Sequence, residues 1–406
     1  MPKLDLTITY DGYKEIGVDT IEDYNAEQQI GVSEIQGLTN FGQKVSGSTA
    51  YVRPTFTRLN YNLTLKAFVT KILTNQSTKT AYGVEFVKDR ITYQATARKE
   101  VIISAGVINT PQLLMLSGIG PSNELAKHNI PVVANLPVGR MFRGNVFFSL
   151  FFSVNITAPF DTLEGAVNKF LKGQGVLTSF HNGVTVSFHN TKNNRSSIPN
   201  LSLIYYNSTT IAERIPSLTN YTPEVQKFVD KLNFSRLVFT QISLLHPQSI
   251  GNITLKSNNP SDFPNINLGI FDKDADIEIL YEGIQKVKEI RNTKTIKMLN
   301  HSLIKYDFCD EYEYDSKDYW YCALKHLAKP GFQWAGSTKM GPIDDPYAVV
   351  DYKLRVHGIK KLRIVDLSAM PVTLSGNYNP SAFMIGEKAA DMIKKEYGCV
   401  RKDCLS

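Results

Sequence analysis

Lys99-Glu-Val-Ile-Ile-Ser-Ala-Gly106, running on into Val107-Ile-Asn-Thr-Pro-Gln-Leu-Leu-Met-Leu-Ser-Gly118, decides the fold class. The first part is a short continuous apolar run ending in small residues, the pattern of a strand buried on both faces in a parallel sheet. The second part reads as a helix. Thr110 is a good N-cap, Pro111 fits the first helical position where a missing N–H costs nothing, and Gly118 ends it. Near the other end of the chain, Lys361-Leu-Arg-Ile-Val-Asp366 is a second strand, ending in a carboxylate, and Ser381 to Lys395 is a helix. A strand that ends in Asp before a turn is where open α/β sheets place cofactor contacts.

Between these α/β segments the pattern is β-rich. Asn62 to Leu73 alternates and is rich in β-branched residues, and Tyr82–Val87, a Lys-Asp-Arg turn and Ile91–Ala95 predict a hairpin. Val146–Phe152, Val184–Phe188 and Asn252–Lys256 are further strands. Asp274 to Ile290 is an amphipathic helix with Ile277, Leu280, Tyr281, Ile284 and Val287 on one face. Residues 1–50 are polar and mixed, with Gly42, Gly47 and serines marking turns. Ser122 caps a short helix that stops before Pro131.

Composition narrows the class. Of 406 residues, 42% are apolar and 20% charged, which is globular material. The net charge of +7 is spread among interleaved acids and bases, with no basic run that points to nucleic acid. No apolar stretch reaches the roughly 18 residues a membrane span needs. The four cysteines form no metal-binding spacing; Cys309 and Cys322 are either a disulfide or two thiols, according to compartment. Ten Asn-x-Ser/Thr sequons (Asn62, Asn75, Asn155, Asn194, Asn200, Asn207, Asn220, Asn233, Asn252 and Asn300) lean toward a secreted protein carrying N-glycans. The Met-Pro-Lys-Leu-Asp-Leu start has no signal-peptide core, so the expectation is a sequence that begins inside a longer chain.

Four stretches, in order, resemble the glucose–methanol–choline oxidoreductase family, in its insect glucose-dehydrogenase-like branch. They are Ser104 to Pro121, Asn135-Leu-Pro-Val-Gly-Arg140, Gly336-Ser-Thr-Lys-Met-Gly-Pro342 continuing through Val350 to Ile359, and Leu362 to Pro371 continuing through Ser375-Gly-Asn-Tyr-Asn-Pro380. The segment from Cys309 to Cys322 is also similar to a stretch of insect members.

The resemblance implies an FAD-dependent oxidoreductase acting on CH–OH groups of an alcohol or sugar. It implies an α/β fold: an incomplete FAD-binding domain over 1–145 and 335–398, an inserted antiparallel-sheet substrate domain over 146–334, and a tail over 399–406. It carries Val69, Ser104, Ala105, Gly106, Asp366, Leu367, Asn377 and Asn379 over as cofactor contacts.

Three departures stand out. The family's opening Gly-x-Gly-x-x-Gly turn, which holds the FAD pyrophosphate on a helix N-terminus, has no counterpart in the sequence. At the position of the family's usual catalytic His stands Gln333, opposite Asn377, which is intact. Glutamine can hydrogen-bond a substrate oxygen but cannot take its proton. After Arg140, Gly144-Asn145 stand where the family often has Asp-His. Three readings therefore remain: a partial sequence of an oxidoreductase, a catalytically impaired homologue that binds a ligand or partner, or an enzyme in which a different base serves a narrowed substrate. For the 406 residues alone the expectation is poor solubility and no bound flavin.

Overall fold

The computed structural model describes residues 6–398 apart from 155–161, 176, 179–183, 193–195, 208–220 and 234–235. Cys399 and Cys404, and the sequons at Asn155, Asn194 and Asn220, lie outside the described residues. Contacts divide the chain into two units. One holds residues 1–57, 146–246 and 273–331, the other 58–145, 247–272 and 332–406. The boundaries expected from sequence differ from this at residues 1–57, 247–272 and 332–334, the last of which carries Gln333 into the second unit. Residues 1–57 go with the first unit because Gly31–Glu34 pairs with Thr185–His189. Residues 247–272 go with the second because Asn252–Thr254 pairs with Asn265–Asn267 and packs on the helix Gly106–Leu116.

The first unit is an antiparallel sheet with strand order Gly31–Glu34, Thr185–His189, Leu201–Asn207, Leu237–Leu244, Arg143–Val154 and His301–Leu303; Lys329–Ala335 also pairs with Arg143–Val154. The helix Asp274–Arg291 lies on this sheet, burying the expected Ile277, Leu280, Ile284 and Val287. Gly283 permits the close approach: a Cβ there would sit 2.5 Å from Ile242 Cγ2.

A helix at Leu6–Glu15 was not legible in the polar opening residues. Its buried positions are Thr9, Gly12 and Tyr13, a stripe with little apolar signal. It is held instead by Glu15, whose carboxylate accepts from the Lys294 and Thr295 amides at 2.7 and 2.9 Å and so caps the short helix Lys294–Lys297. Cys309 and Cys322 form a disulfide, which settles the alternative left open by the sequence.

In the second unit the strands Val101–Ile103 and Leu362–Ile364 pair in parallel, as expected of α/β. Burial on both faces does not hold: Val101 and Ile103 are buried, but Ile102 is 45% exposed, because the pair is a two-stranded sheet with one uncovered face. Arg363 sits buried in this pair, with Nε on Glu100 and Nη2 on Glu396 of the last helix, at 2.8 and 2.5 Å. The predicted hairpin is present as Thr80–Lys88 and Ile91–Thr96, closed by Asp89 and Arg90 at φ +52 and +66. Its neighbour strand starts later than its pattern suggests, at Phe68.

The helix after Gly106 also departs from expectation. It spans Gly106–Leu116, so Thr110 is not its N-cap and Pro111 lies inside it. The acceptor for the first turn comes from Asp366, 260 residues away, whose Oδ2 accepts the Gly106 N–H at 3.0 Å and the Thr110 hydroxyl at 2.6 Å. The proline has no N–H to offer the Val107 carbonyl, and the Ser337 hydroxyl donates to it instead at 2.6 Å. Gly118, at φ +81, ends the helix as read.

Candidate functional site

The site is built in the second unit where three stretches meet. Residues 336–340 run beside 367–369. The Gly336, Thr338 and Met340 amides donate to the Leu367, Ser368 and Ala369 carbonyls at 3.3, 2.8 and 2.8 Å, and the Gly139 amide donates to Ser337 at 2.7 Å. Gly336 has φ +90, which favours glycine. This ladder fixes the strand end carrying Gln333 relative to the turn that leads to Asn377.

Asn377 is the N-cap of the last helix, Tyr378–Glu396, which begins three residues before the expected Ser381. Its side chain does not cap the helix; Oδ1 accepts the Gln333 Nε2–H at 2.8 Å. The two residues named from sequence as catalytic are thus a hydrogen-bonded amide pair. Gln333 Oε1 is buried and has no hydrogen-bond partner among the described residues. A buried acceptor left unmade costs about 1–3 kcal/mol, so a hydroxyl donor arriving there recovers that free energy. None of the described histidines is hydrogen-bonded to either amide. His357 Nε2 lies 3.0 Å from the Gly341 carbonyl, and His326 stands beside Cys322, its Nδ1 3.6 Å from the sulfur.

Several residues around the pair escaped the sequence reading. Tyr378 is buried; its hydroxyl accepts from the Leu374 amide and donates to Asn145 Oδ1, both at 3.3 Å, and burial pushes its phenol up to about 12. That pins the turn holding Asn377 and gives the buried Asn145 a structural task. Gly144 faces Trp334: a Cβ on it would stand 2.2 Å from Trp334 Cδ1 and 2.7 Å from the Gln333 carbonyl oxygen. Gly144 therefore lies against the backbone of Gln333 and the ring of Trp334. Phe332, 71% exposed with φ +55, precedes Gln333 and packs on Trp334 with ring centres 5.6 Å apart.

The proposed cofactor contacts fall in the same unit. Ser104 and Ala105 are exposed, and a Cβ added to Gly106 would meet nothing within 4 Å, so a flat group can lie against this backbone. Asp366 spends its carboxylate on Gly106, Thr110 and the Ser368 amide, leaving about one acceptor position of four. Leu367 is half-buried and Asn379 exposed on the first turn of the last helix. Val69, 37% exposed, lies on the strand Phe68–Asn75 that packs against helix Gly106–Leu116. These residues fit the side of a flavin. They do not supply a grip on its pyrophosphate.

Residues 3–143 and 247–386 match the N- and C-terminal parts of the GMC oxidoreductases. The chain belongs to the GMC oxidoreductase family. It is 33% identical over 389 residues to a glucose dehydrogenase [FAD, quinone] of Drosophila pseudoobscura pseudoobscura, covering 93% of this chain and 60% of that protein. It is 32% identical to an ecdysone oxidase of Spodoptera littoralis, covering 95% and 64%. An oxygen-dependent choline dehydrogenase of Brucella anthropi is 30% identical, covering 96% and 68%.

Among solved structures, formate oxidase superposes with a TM-score of 0.81 at 25% identity, over 97% of this chain and 70% of that one. The GMC chain thus spans about 60% of the length of the glucose dehydrogenase it matches. Among its described residues no helix is long and apolar enough to cross a membrane.

Proposed function

We propose that the whole protein is an FAD-dependent oxidoreductase acting on the CH–OH group of an alcohol or sugar, with Gln333 and Asn377 as the pair that holds the hydroxyl. The observation that carries this is the amide pair itself: Gln333 Nε2 on Asn377 Oδ1 at 2.8 Å, with Gln333 Oε1 buried and unpartnered. In this reading Gln333 Oε1 accepts the substrate O–H, and Asn377 Nδ2, whose oxygen is already engaged, donates to the same oxygen. FAD, when bound, supplies the hydride acceptor. Ser104, Ala105 and Gly106 offer it a backbone without side-chain obstruction, and Asp366 keeps that edge in place.

Neither amide takes up a proton at neutral pH, so the hydroxyl proton passes to water rather than to a side chain. The absence of a positioned general base costs about a hundred- to ten-thousand-fold. A second reading, a ligand-binding homologue with little turnover, is favoured by the changes at Gln333 and at Gly144-Asn145. Mixing the full-length flavoprotein anaerobically with a panel of alcohols, sugars and steroid alcohols separates the two. Bleaching of the flavin by any of them supports the oxidoreductase; saturable binding without bleaching supports the second reading.

The substrate, the electron acceptor and secretion belong to the same proposal. Exposed Asn62, Asn75 and Asn300 are accessible for glycans, whereas the Asn200 amide is engaged with Thr191 through both its oxygen and its nitrogen. Peptide mapping of secreted material is expected to find sugar at the first three and none at Asn200; sugar at Asn200 would contradict this assignment.

A further inference from the structure

The first unit holds a partly open cavity of about 30 Å³. That is room for about two waters or one small ion. Its walls are mostly apolar, formed by Val287, Ile290, Ile296 and Leu299 with the rings of Tyr13 and Tyr205, and the polar groups at it belong to Thr9, Thr240, Arg291, His301 and the tyrosines. Tyr205 and Thr240 are cross-strand partners in the sheet, so their side chains share one face.

Arg291 closes the helix Asp274–Arg291. Its guanidinium carbon lies 3.6 Å from the centre of the Phe152 ring, and Nη1 is 3.0 Å from His301 Nδ1. Burial and the neighbouring cation pull His301 down to about 4, so it is a neutral acceptor and brings no negative charge. Among the described residues no carboxylate pairs with Arg291. Arg363 shows what this fold does elsewhere with a buried guanidinium, giving it Glu100 and Glu396.

Burial draws the Arg291 guanidinium down to about 10, still cationic at neutral pH. The carbonyl end of its own helix offsets part of the charge. The Tyr205 hydroxyl is buried with no hydrogen-bond partner, an O–H beside the same cavity. A cation with no carboxylate partner among the described residues, a hydroxyl donor left unpaired among them and a void of ionic size call for an anion.

We propose that this cavity is a binding site for one small inorganic monoanion of halide size, held by Arg291 and the Tyr205 hydroxyl. The site is independent of the amide pair in the other unit.

The test uses the purified full-length protein in gluconate buffer, with sodium bromide replacing sodium gluconate at constant ionic strength. The melting temperature is expected to rise saturably with bromide, and bromide-soaked crystals to show an anomalous peak beside Arg291. Arg291→Met is expected to abolish the saturable rise. Tyr205→Phe, which removes one oxygen and keeps the ring, is expected to weaken apparent bromide affinity about ten-fold. Equal responses to bromide and gluconate, a cavity holding water alone, or an unchanged bromide response in Tyr205→Phe would each overturn the proposal.

Discussion

The two units solve the same packing problem in opposite ways. In the first, the strands Thr185–His189 and Leu237–Leu244 are buried almost throughout, and a disulfide staples the helix Lys317–Leu327 to the turn at Asp307–Cys309. In the second, the parallel pair leaves Ile102 open, Phe68 and Val69 are 50% and 37% exposed, and the small residues at Ser104–Gly106 face outward. A closed unit owes its stability to its own core. An open unit leaves surface for something else, and the function proposed above gives the Ser104–Gly106 part of it to flavin. The amide pair belongs to the open unit.

The largest expected effect is chemical. Gln333→His in the full-length protein is expected to raise kcat/KM toward a CH–OH donor about a hundred- to ten-thousand-fold, measured by steady-state turnover. A rate that does not change, with flavin still bound, would mean that the proton already has another acceptor.

Next is the staple. Cys309→Ser with Cys322→Ser is expected to cost about 3 kcal/mol in chemical denaturation, confined to the first unit, for a loop of this length. An equal loss in both units would break the comparison.

Gly144→Ala drives a methyl into Trp334 and the Gln333 carbonyl. It is expected to cost about 1–3 kcal/mol and to disturb the amide pair as well as the fold. Lower stability together with a lower kcat/KM toward a CH–OH donor is the expected signature; a neutral variant would sever the link drawn between the two departures.

The smallest effect is pH-dependent. Burial lowers His189 to about 3, and burial with Arg291 lowers His301 to about 4. The unfolded chain therefore binds more protons than the folded one below about pH 6.5. Stability held above that pH is lost as pH falls toward those folded values. Melting scans should show this slope in the first unit, and His189→Gln should flatten it.

What the sequence made legible follows physical range. The hairpin turn at Asp89-Arg90 and the end of the helix at Gly118 depend on neighbours in the chain, and both were readable. The start of that helix was not, because its acceptor, Asp366, is 260 residues away. The helix Leu6–Glu15 was hidden because its buried face is Thr9, Gly12 and Tyr13, and its anchor is the remote short helix capped by Glu15. At the site, Gln333 and Asn377 were named from motif position, and the structure pairs them. The support from Tyr378, Asn145, Ser337 and Trp334 gave no local signal. Its one faint trace was the Gly144-Asn145 departure, whose meaning needed Trp334 beside it.

The most direct test is the pH dependence of kcat/KM for the full-length protein and its Gln333→His variant. The account predicts a wild-type profile with no limb near pH 6.5, because neither amide titrates, and a variant whose rate rises with pH through about 6.5 as the new imidazole becomes a free base. A wild-type profile that already rises through that range would show a histidine acting as base, and would contradict the assignment of Gln333 and Asn377 as the groups that hold the hydroxyl without taking its proton.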